Sequence, residues 1–369
     1  MSEQNTTIDQ LNDQPNEQPN DNEQPGEQKS FVKRTISHGF FKFFVRRLFW
    51  LVITLFAAVS LNFFLPRLMP GDPISTLIAR LAAGTDAELI RRTIEHFYYQ
   101  FGLYQPVYVQ FFTYIGNVIQ GDLGQSFSQF PRPVSDIILS SLPYTLALMI
   151  PAIFVGWILG NVLGAVAAYV RKGFDKIMLP ISLFITGIPA FGMAIILLTV
   201  FAVNLSWFPA GGAYPVVMIP SWSWSFFMGL LQHYHLPFWS MVLLAIGGQA
   251  IGMRSMSIYE LNADYVKYSR YMGIKDRKIV GYVFRNAMLP QVTGLALQIG
   301  TFLSGALFVE IVFSYPGLGT TLMSAVSQND YPLLSGLTLF IIIMVLVMVF
   351  LLDIFYAIID PRVKASLVE

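Results

Sequence analysis

The stretch "ADYVKYSRYMGIKDRKIVGYVFRNAMLP", residues 263–290, is a charged segment that lies between two long apolar runs. In and before it, apolar side chains recur at steps of three and four, which predicts one continuous helix with a single apolar stripe. The stripe consists of Ile258, Leu261, Tyr265, Tyr268 and Met272. Charged side chains fall on the other face of this helix, at Glu260, Asp264, Lys267 and Arg270.

The centre of the stretch predicts a sharp reversal of the chain. Gly273 falls where the end of a helix favours a residue with positive φ, and Asp276 falls where the next helix favours an N-cap. A second amphipathic helix is predicted from Ile279 to Asn286, and Pro290 marks its junction with the following apolar run. Periodicity alone leaves two interpretations open, a solvated loop and a surface that contacts another protein.

The composition places this stretch in a membrane protein. Of the 369 residues, 54% are hydrophobic and 12% are charged, whereas about a quarter of a soluble domain is charged. A helix crosses a bilayer with about 20 mostly apolar residues. Six such runs predict an all-α, polytopic membrane protein with six transmembrane helices. They lie at 48–65, 142–169, 177–203, 237–253, 287–307 and 334–356, and the last contains one acid, Asp353.

The basic residues predict the orientation in the membrane. All but five of the 23 Lys and Arg residues lie before the first run, around residue 171, between 254 and 285, or after residue 360. The five others lie between the first and second runs, at Arg67, Arg80, Arg91, Arg92 and Arg132. Because cytoplasmic loops carry an excess of Lys and Arg, we expect a multi-pass protein of the cell membrane. Both termini and the segment 263–290 are then cytoplasmic.

The remaining composition predicts five segments. Residues 1–30 are polar and acidic, which favours a disordered tail. A basic juxtamembrane segment and the first transmembrane helix fill 31–66, and an extracytoplasmic helical subdomain fills 67–140. The transmembrane domain of five helices spans 141–360, with the charged loop at about 255–289 inside it. Residues 361–369 form a cytoplasmic C-terminus.

Within 67–140 the pattern predicts two helices and a turn. The first helix is capped by Thr85 or Asp86 and ends near Gly102. The second has apolar residues at helical spacing: Tyr108, Phe111, Phe112, Ile115, Val118 and Ile119. The turn "GDLGQSF", residues 121–127, leads into a segment at 134–142 that we expect along the membrane surface.

Several common chemistries are excluded by the residues themselves. The chain has no Gly-Lys dipeptide, so it lacks the Walker loop that cradles nucleotide phosphates. It contains neither an H-E-x-x-H nor a G-x-S-x-G motif, and it has no cysteine. The sequence therefore predicts a chain that is not an enzyme and has no catalytic, cofactor-binding or metal-binding residues.

Six motifs in order resemble the membrane permease subunits of binding-protein-dependent ABC importers, specifically the peptide/nickel group. The run from Glu260 to Pro290 resembles the EAA loop of that family. Before it lie "PRLMPGDP" (66–73), "GDLGQSF" and "LPYTLAL" (142–148). After it lie "GALFVEIVFSYPGLG" (305–319) and "DIFYAIIDPRV" (353–363). The resemblance covers residues 45–365, and it implies the type I ABC importer (MetI-like) permease fold.

The resemblance also implies function, partners and site residues. The chain would form half of a translocation path for oligopeptides or dipeptides, together with a second similar permease, two cytoplasmic ATPase subunits and an extracytoplasmic binding protein. ATP and Mg would be held by the ATPases, with no cofactor in this chain. Residues that couple to the ATPase would be Glu260, Asp264, Tyr265, Val266, Arg270, Gly273 and Ile274. A structural or gating role would fall to Glu310, Pro316, Gly317 and Asp353.

Three alternatives to peptide import stay open at this stage. The same importer class also carries nickel complexes and other small solutes. From other classes, an ATP-independent channel or carrier and a membrane scaffold would each explain the spans. The family usually has a small residue and a lysine where this chain has Tyr271 and Met272. We therefore expect poor exchange with the ATPases of relatives.

Polar residues in and near the spans carry further expectations. Glu310 is expected at the outer end of the fifth span, in contact with solvent, and Asp353 is expected to pair with Arg254 or Arg285. Polar groups on spans four and five either bond neighbouring helices or line the path. They are Gln249, Gln291, Thr293, Gln298, Thr301 and Ser304.

Overall fold

The computed structural model describes residues 44–64, 104–170 and 173–359, together with Glu88, Arg91, Arg92, Glu95, Tyr98 and Tyr99. Within these ranges the chain is helical and has no strand, only one isolated bridge between Gln125 and Pro133. The predicted all-α fold class is confirmed. Several predicted segments lie outside the described residues: the tail 1–30, the stretch 66–73, most of the helix that begins near residue 86, and the C-terminus 361–369.

Ten helices are numbered here in chain order. They are α1 Phe44–Phe64, α2 Val107–Ile119, α3 Val134–Val170, α4 Phe174–Gly187, α5 Ala190–Leu197, α6 Trp224–Leu261, α7 Asp264–Tyr271, α8 Asp276–Val312, α9 Leu318–Ser327 and α10 Tyr331–Ile359. A π-helix, Leu198–Asn204, continues α5. Contacts divide the chain into a unit Trp50–Asp353 and a second unit of Met1–Phe49 with Ile354–Glu369. Helices α2 to α9 lie entirely in the first unit.

Four of the described helices are long and apolar enough to cross a membrane: α1, α3, α6 and the part of α10 at Tyr331–Leu351. The bent pair of α4 and α5 with its π-helix makes a fifth if the pair is one span. The predicted run 287–307 lies inside α8, where the side chains at 293, 296–299 and 301 are outside the described residues. The count of six therefore stays a prediction.

The third predicted span is not one straight helix. The apolar run 177–203 breaks between α4 and α5, whose axes bend by 105°. Pro189 has no N–H to continue the helix, and its ring disfavours the helical conformation of the residue before it. Ile188 is accordingly extended, with φ −86° and ψ 124°. The apolar run was predicted correctly, and the break at Pro189 was not predicted.

Helices α3 and α6 form the closest packed pair of the unit. Glycines at Gly156, Gly160 and Gly164 line the contact: a Cβ on Gly160 would lie 2.6 Å from the Cβ of Gln249, and one on Gly164 would lie 2.3 Å from the carbonyl oxygen of Ala250. Small residues four apart let helix backbones approach closely in membranes. Helix α8 packs against both members of this pair.

Two predicted element boundaries were wrong. Residues 134–142 are not a separate surface segment, because α3 starts at Val134 and runs through Pro143. The start of α3 is instead buried against Leu318 and Leu333. Likewise, α6 begins at Trp224 rather than after residue 236, since Ser223 caps it by accepting a hydrogen bond from the N–H of Phe226 at 3.3 Å.

Candidate functional site

The charged segment folds as a short helix between the ends of α6 and α8. Helix α6 ends at Leu261, and Ala263 is extended, with φ −68° and ψ 151°. The N–H of Ala263 donates to the carbonyl oxygen of Glu260 at 3.1 Å, which closes the end of α6. A new helix, α7, then begins at Asp264, whose carboxylate favours a first turn. The predicted single continuous helix is therefore wrong.

This break divides the predicted apolar stripe into a buried part and an exposed part. Val266, Ile279 and Val283 form a small buried core, against which Leu261, Tyr265 and Ile274 pack. Tyr268 and Met272 point away from it and are 66% and 78% exposed. The sequence pattern did not distinguish these groups, because a turn between two helices changes which positions share a face. Residues 260–286, here called the coupling segment, thus carry their own core.

Glu260 joins the three helices of the coupling segment. Its Oε2 accepts a hydrogen bond from the Tyr265 hydroxyl at 2.8 Å and another from Nδ2 of Asn286 at 3.5 Å. Burial, and then the bond to Glu260, raises the pKa of the Tyr265 hydroxyl, so it stays a neutral donor at physiological pH. One carboxylate thus links the end of α6, the start of α7 and the first part of α8.

The reversal at Gly273 has the predicted geometry. Gly273 has φ +73°, its N–H donates to the carbonyl of Arg270 at 3.0 Å, and the N–H of Ile274 donates to that of Ser269 at 3.0 Å. Such bonds close a helix whose next residue is left-handed. The predicted N-cap at Asp276 is wrong, because Asp276 is the first residue of α8 and Lys275 is the cap.

The exposed side of α7 is an apolar tip with charges beside it. Tyr268, Tyr271 and Met272 form the tip, and Tyr271 is 85% exposed. Asp264 and Arg270 lie beside the tip on the same exposed helix, and Asp264 accepts from Lys267 Nζ at 2.9 Å. An exposed helix with these features is suited to a groove on a second protein.

A second cluster surrounds Glu310 at the loop between α8 and α9. Glu310 is fully buried, so the expected contact with solvent is wrong. Its Oε2 accepts from the N–H of Gly319 at 2.7 Å, and beside it the Thr145 hydroxyl oxygen accepts from the N–H of Leu318 at 2.9 Å. The carboxylate thereby satisfies a free N–H in the first turn of α9. A Cβ on Gly317 would lie 2.3 Å from Glu310 Cδ, so only glycine fits above this group.

Of the other predicted structural or gating residues, the structure describes the side chain of Pro316 but not that of Asp353. Pro316 lies exposed in the same loop as Gly317. The side chain of Asp353 is outside the described residues, so its pairing with Arg254 or Arg285 stays a prediction. Arg254 has an acidic partner that the sequence did not indicate, Asp175, with 2.7 Å between Nη2 and Oδ2.

Sequence reasoning missed Asp330, an acid whose carboxylate accepts four hydrogen bonds. It is fully buried. Its carboxylate accepts from the Ser126 hydroxyl at 2.5 Å and from the N–H groups of Phe127, Ser128 and Leu333 at 3.1, 2.7 and 3.1 Å. One sequence feature could have revealed it: an Asp two residues before a Pro, at the start of an apolar run, is typical of the residue that caps a helix.

Two of the polar residues on spans four and five bond each other. Gln249 and Gln291 are buried, and Gln249 Nε2 donates to Gln291 Oε1 at 2.7 Å. For this pair the interhelical alternative is therefore correct. Ser304 is exposed. The side chains of Thr293, Gln298 and Thr301 are outside the described residues.

Fold and site together define a polytopic helical membrane protein that presents an exposed, self-supporting helix between two of its apolar helices. The chain belongs to the family described as binding-protein-dependent transport system inner membrane component, whose model matches residues 160–365. A model of the N-terminal part of such membrane components matches residues 40–149. The chain is thus a transporter subunit of the membrane.

Curated relatives cover most of the chain. It is 37% identical over 318 residues to a protein of Brucella ovis named as a candidate peptide permease, across 85% of this chain and 95% of that protein. It is 32% identical to the oligopeptide transport system permease protein AppB of Bacillus subtilis, across 87% of this chain and 99% of AppB. It is 35% identical to the glutathione transport system permease protein GsiC of Escherichia coli, across 87% and 98%.

Proposed function

We propose that this chain is the permease subunit of an ATP-driven importer and forms half of a translocation path for oligopeptides or dipeptides. The observation that carries the proposal is the exposed tip of α7 in a chain that has no Walker loop. A transporter subunit that cannot bind ATP by that loop needs a surface through which an ATPase can move it. The names of the relatives, which refer to peptides, oligopeptides and glutathione, favour peptides as the solute.

The coupling residues divide into two roles in this proposal. Tyr268, Tyr271 and Met272 enter a groove of the ATPase, and the exposed charges of Asp264 and Arg270 set the orientation at its rim. The other predicted residues hold the helix in shape from within the segment. They are Glu260, Tyr265, Val266, Gly273 and Ile274.

The proposed assembly contains this chain, a second similar permease, two cytoplasmic ATPase subunits and an extracytoplasmic binding protein. The ATPases hold ATP and Mg, and this chain holds no cofactor. Both termini and the coupling segment are cytoplasmic, and residues 67–140 lie outside. The liganded binding protein and ATP favour different states of the membrane unit, so that access alternates. A carrier without ATPases would leave the exposed tip of α7 without a role.

The first experiment is purification of the tagged chain from its native membrane in mild detergent, with its stoichiometric partners identified by mass spectrometry. We expect two ATPases and a second permease. Reconstituted with them and the binding protein, the chain should import labelled peptide only with ATP. Transport by the chain alone without ATP would overturn the proposal that it belongs to an ATP-driven importer. ATP-dependent uptake of a nickel complex but no peptide would overturn the proposal that the solute is a peptide.

A further inference from the structure

Helix α2 has two exposed faces of opposite character. Tyr108, Phe112 and Ile119 are 67%, 68% and 79% exposed. Because successive helical residues turn by about 100°, these three align on one apolar stripe. Thr113 and Asn117 are also exposed, and the same rotation places them on the opposite side. The helix contains no charged residue. The exposed surface of α2 is therefore amphipathic.

A third face of α2 packs on the end of α1. Nδ2 of Asn62 donates to the Tyr114 hydroxyl at 2.9 Å, and the rings of Phe63 and Phe111 have centroids 5.2 Å apart. The ring of Phe64, the last residue of α1, stacks on Phe111 at 5.8 Å. Helix α2 is thus fixed beside the final turn of a membrane span.

Two spans give the level of α2 in the bilayer. The apolar run of α1 ends in the sequence at Leu65, just before Pro66 and Arg67. Because a charged residue is costly inside the hydrocarbon core, Asn62 and Phe64 lie close to the end of that core. Asn62 also donates to the carbonyl oxygen of Ser335 at 2.9 Å, and Ser335 lies in the first turns of the apolar segment Tyr331–Leu351. Both spans place α2 at the boundary of core and headgroups.

The apolar stripe continues an apolar surface of α1. Leu61 and Phe64 on the last turn of α1 are 64% and 45% exposed, and only 6% of the apolar window of α1 is buried in the protein. We propose that α2 is an interfacial helix that binds the lipid surface. Tyr108, Phe112 and Ile119 rest on the acyl chains, Thr113 and Asn117 face water, and Phe111 and Tyr114 hold the helix to α1. Such helices lie in the interface plane with the apolar face buried.

The absence of cysteine allows a direct test on the full chain with the subunits that copurify with it. Phe112→Cys and the matched control Asn117→Cys each provide a single thiol for a fluorescent NBD label, in phosphatidylcholine nanodiscs with or without lipid that carries a shallow doxyl quencher. We expect the label at 112 to lose most of its emission to doxyl lipid and little to aqueous iodide. The label at 117 should show the reverse. Because α2 has no charge, anionic lipid should not alter the result.

Each other outcome at position 112 overturns the proposal. Quenching by iodide alone would place the stripe in water, and protection from both quenchers would mean that a protein subunit covers it. Ile119→Cys provides a second position on the stripe and should repeat the result at 112. The assay reports the position of a label, so its result does not depend on which solute is carried or on ATP coupling.

Discussion

Gln249 on α6 and Gln291 on α8 are joined by a hydrogen bond of 2.7 Å between their buried side-chain amides. The indole N–H of Trp157 on α3 donates to the carbonyl oxygen of Gln291 at 3.2 Å. The bonds lie next to Pro290, where α8 lacks one of its own backbone hydrogen bonds. Hydrogen bonds therefore join α3, α6 and α8 at the point where α8 is locally weakest, a little beyond the coupling segment.

Replacing both members of this pair should cost less than the sum of the two single replacements. Gln249→Leu or Gln291→Leu leaves the other amide buried with a lost partner, and we expect each to reduce the free energy of unfolding by about 1 kcal/mol. In the double variant neither amide is left without the other, so its loss in free energy of unfolding should be smaller than the sum of the two single losses. Thermal unfolding of the purified complex measures these three losses. Strictly additive losses would contradict the coupling, and Ser304→Ala is the exposed control on α8.

The left-handed position of Gly273 gives a prediction about coupling. Gly273→Val places a β-branched residue at φ +73°, which costs about 1–2 kcal/mol and shifts the end of α7. ATP-driven uptake should fall while the amount of chain in the membrane stays unchanged.

The matched control for this variant is Gly281→Val. Gly281 lies within α8, where an added Cβ would meet nothing within 4 Å, so we expect uptake close to that of the unaltered chain. Equal uptake by the two variants would rule out the proposed role of the reversal.

Tyr271 and Met272 should determine which ATPase the chain accepts. Their side chains are exposed and outside the core of the coupling segment. The paired change Tyr271→Ala and Met272→Lys should leave folding intact, reduce ATP hydrolysis stimulated by the chain's own partner, and raise it with the ATPase of a relative. Unchanged hydrolysis with both ATPases would show that the tip is not in the contact. Tyr282→Lys, at an exposed position of α8 outside the tip, adds the same charge and should leave both rates of hydrolysis unchanged.

Asp330 should contribute to stability more than any exposed acid of the chain. Asp330→Ala removes a carboxylate that accepts four hydrogen bonds and leaves buried donors unpaired, which should cost about 3 kcal/mol. Asp330→Asn keeps one accepting oxygen and should cost less.

Thermal unfolding and proteolysis within the turn 121–133 test this order. Asp136→Ala, at an exposed position in the first turn of α3, should change the free energy of unfolding by no more than about 0.5 kcal/mol. A similar loss in Asp136→Ala and Asp330→Ala would contradict the assignment.

Local sequence signals predicted some features well. The apolar runs predicted most of the long helices, and the position of Gly273 predicted a left-handed residue, because both depend on a few neighbouring residues. Local signals failed where the deciding contact is distant. Ser126 and Asp330 are 204 residues apart in sequence, and next to the buried Glu310 the N–H of Leu318 donates to the hydroxyl oxygen of Thr145 in another helix.

Prolines show the same limit within the helices. Pro143, Pro237 and Pro290 lie inside continuous helices, whereas Pro189 separates two of them. A proline has the same local chemistry at all four positions. Packing from neighbouring helices decides whether the chain continues through it or turns, and that packing is not visible in the residues beside the proline.

The coupling segment keeps its core and its tip on different residues, and this has a consequence for how such importers diversify. Val266, Ile279 and Val283 fix the fold of the segment, while Tyr268, Tyr271 and Met272 contribute nothing to that core. Substitutions at the tip are therefore nearly free of cost to folding. If the tip enters a groove of the ATPase as proposed above, duplicated copies of such a gene could acquire separate ATPase partners by substitutions at these three positions, and an engineer could redirect the chain to a new ATPase in the same way.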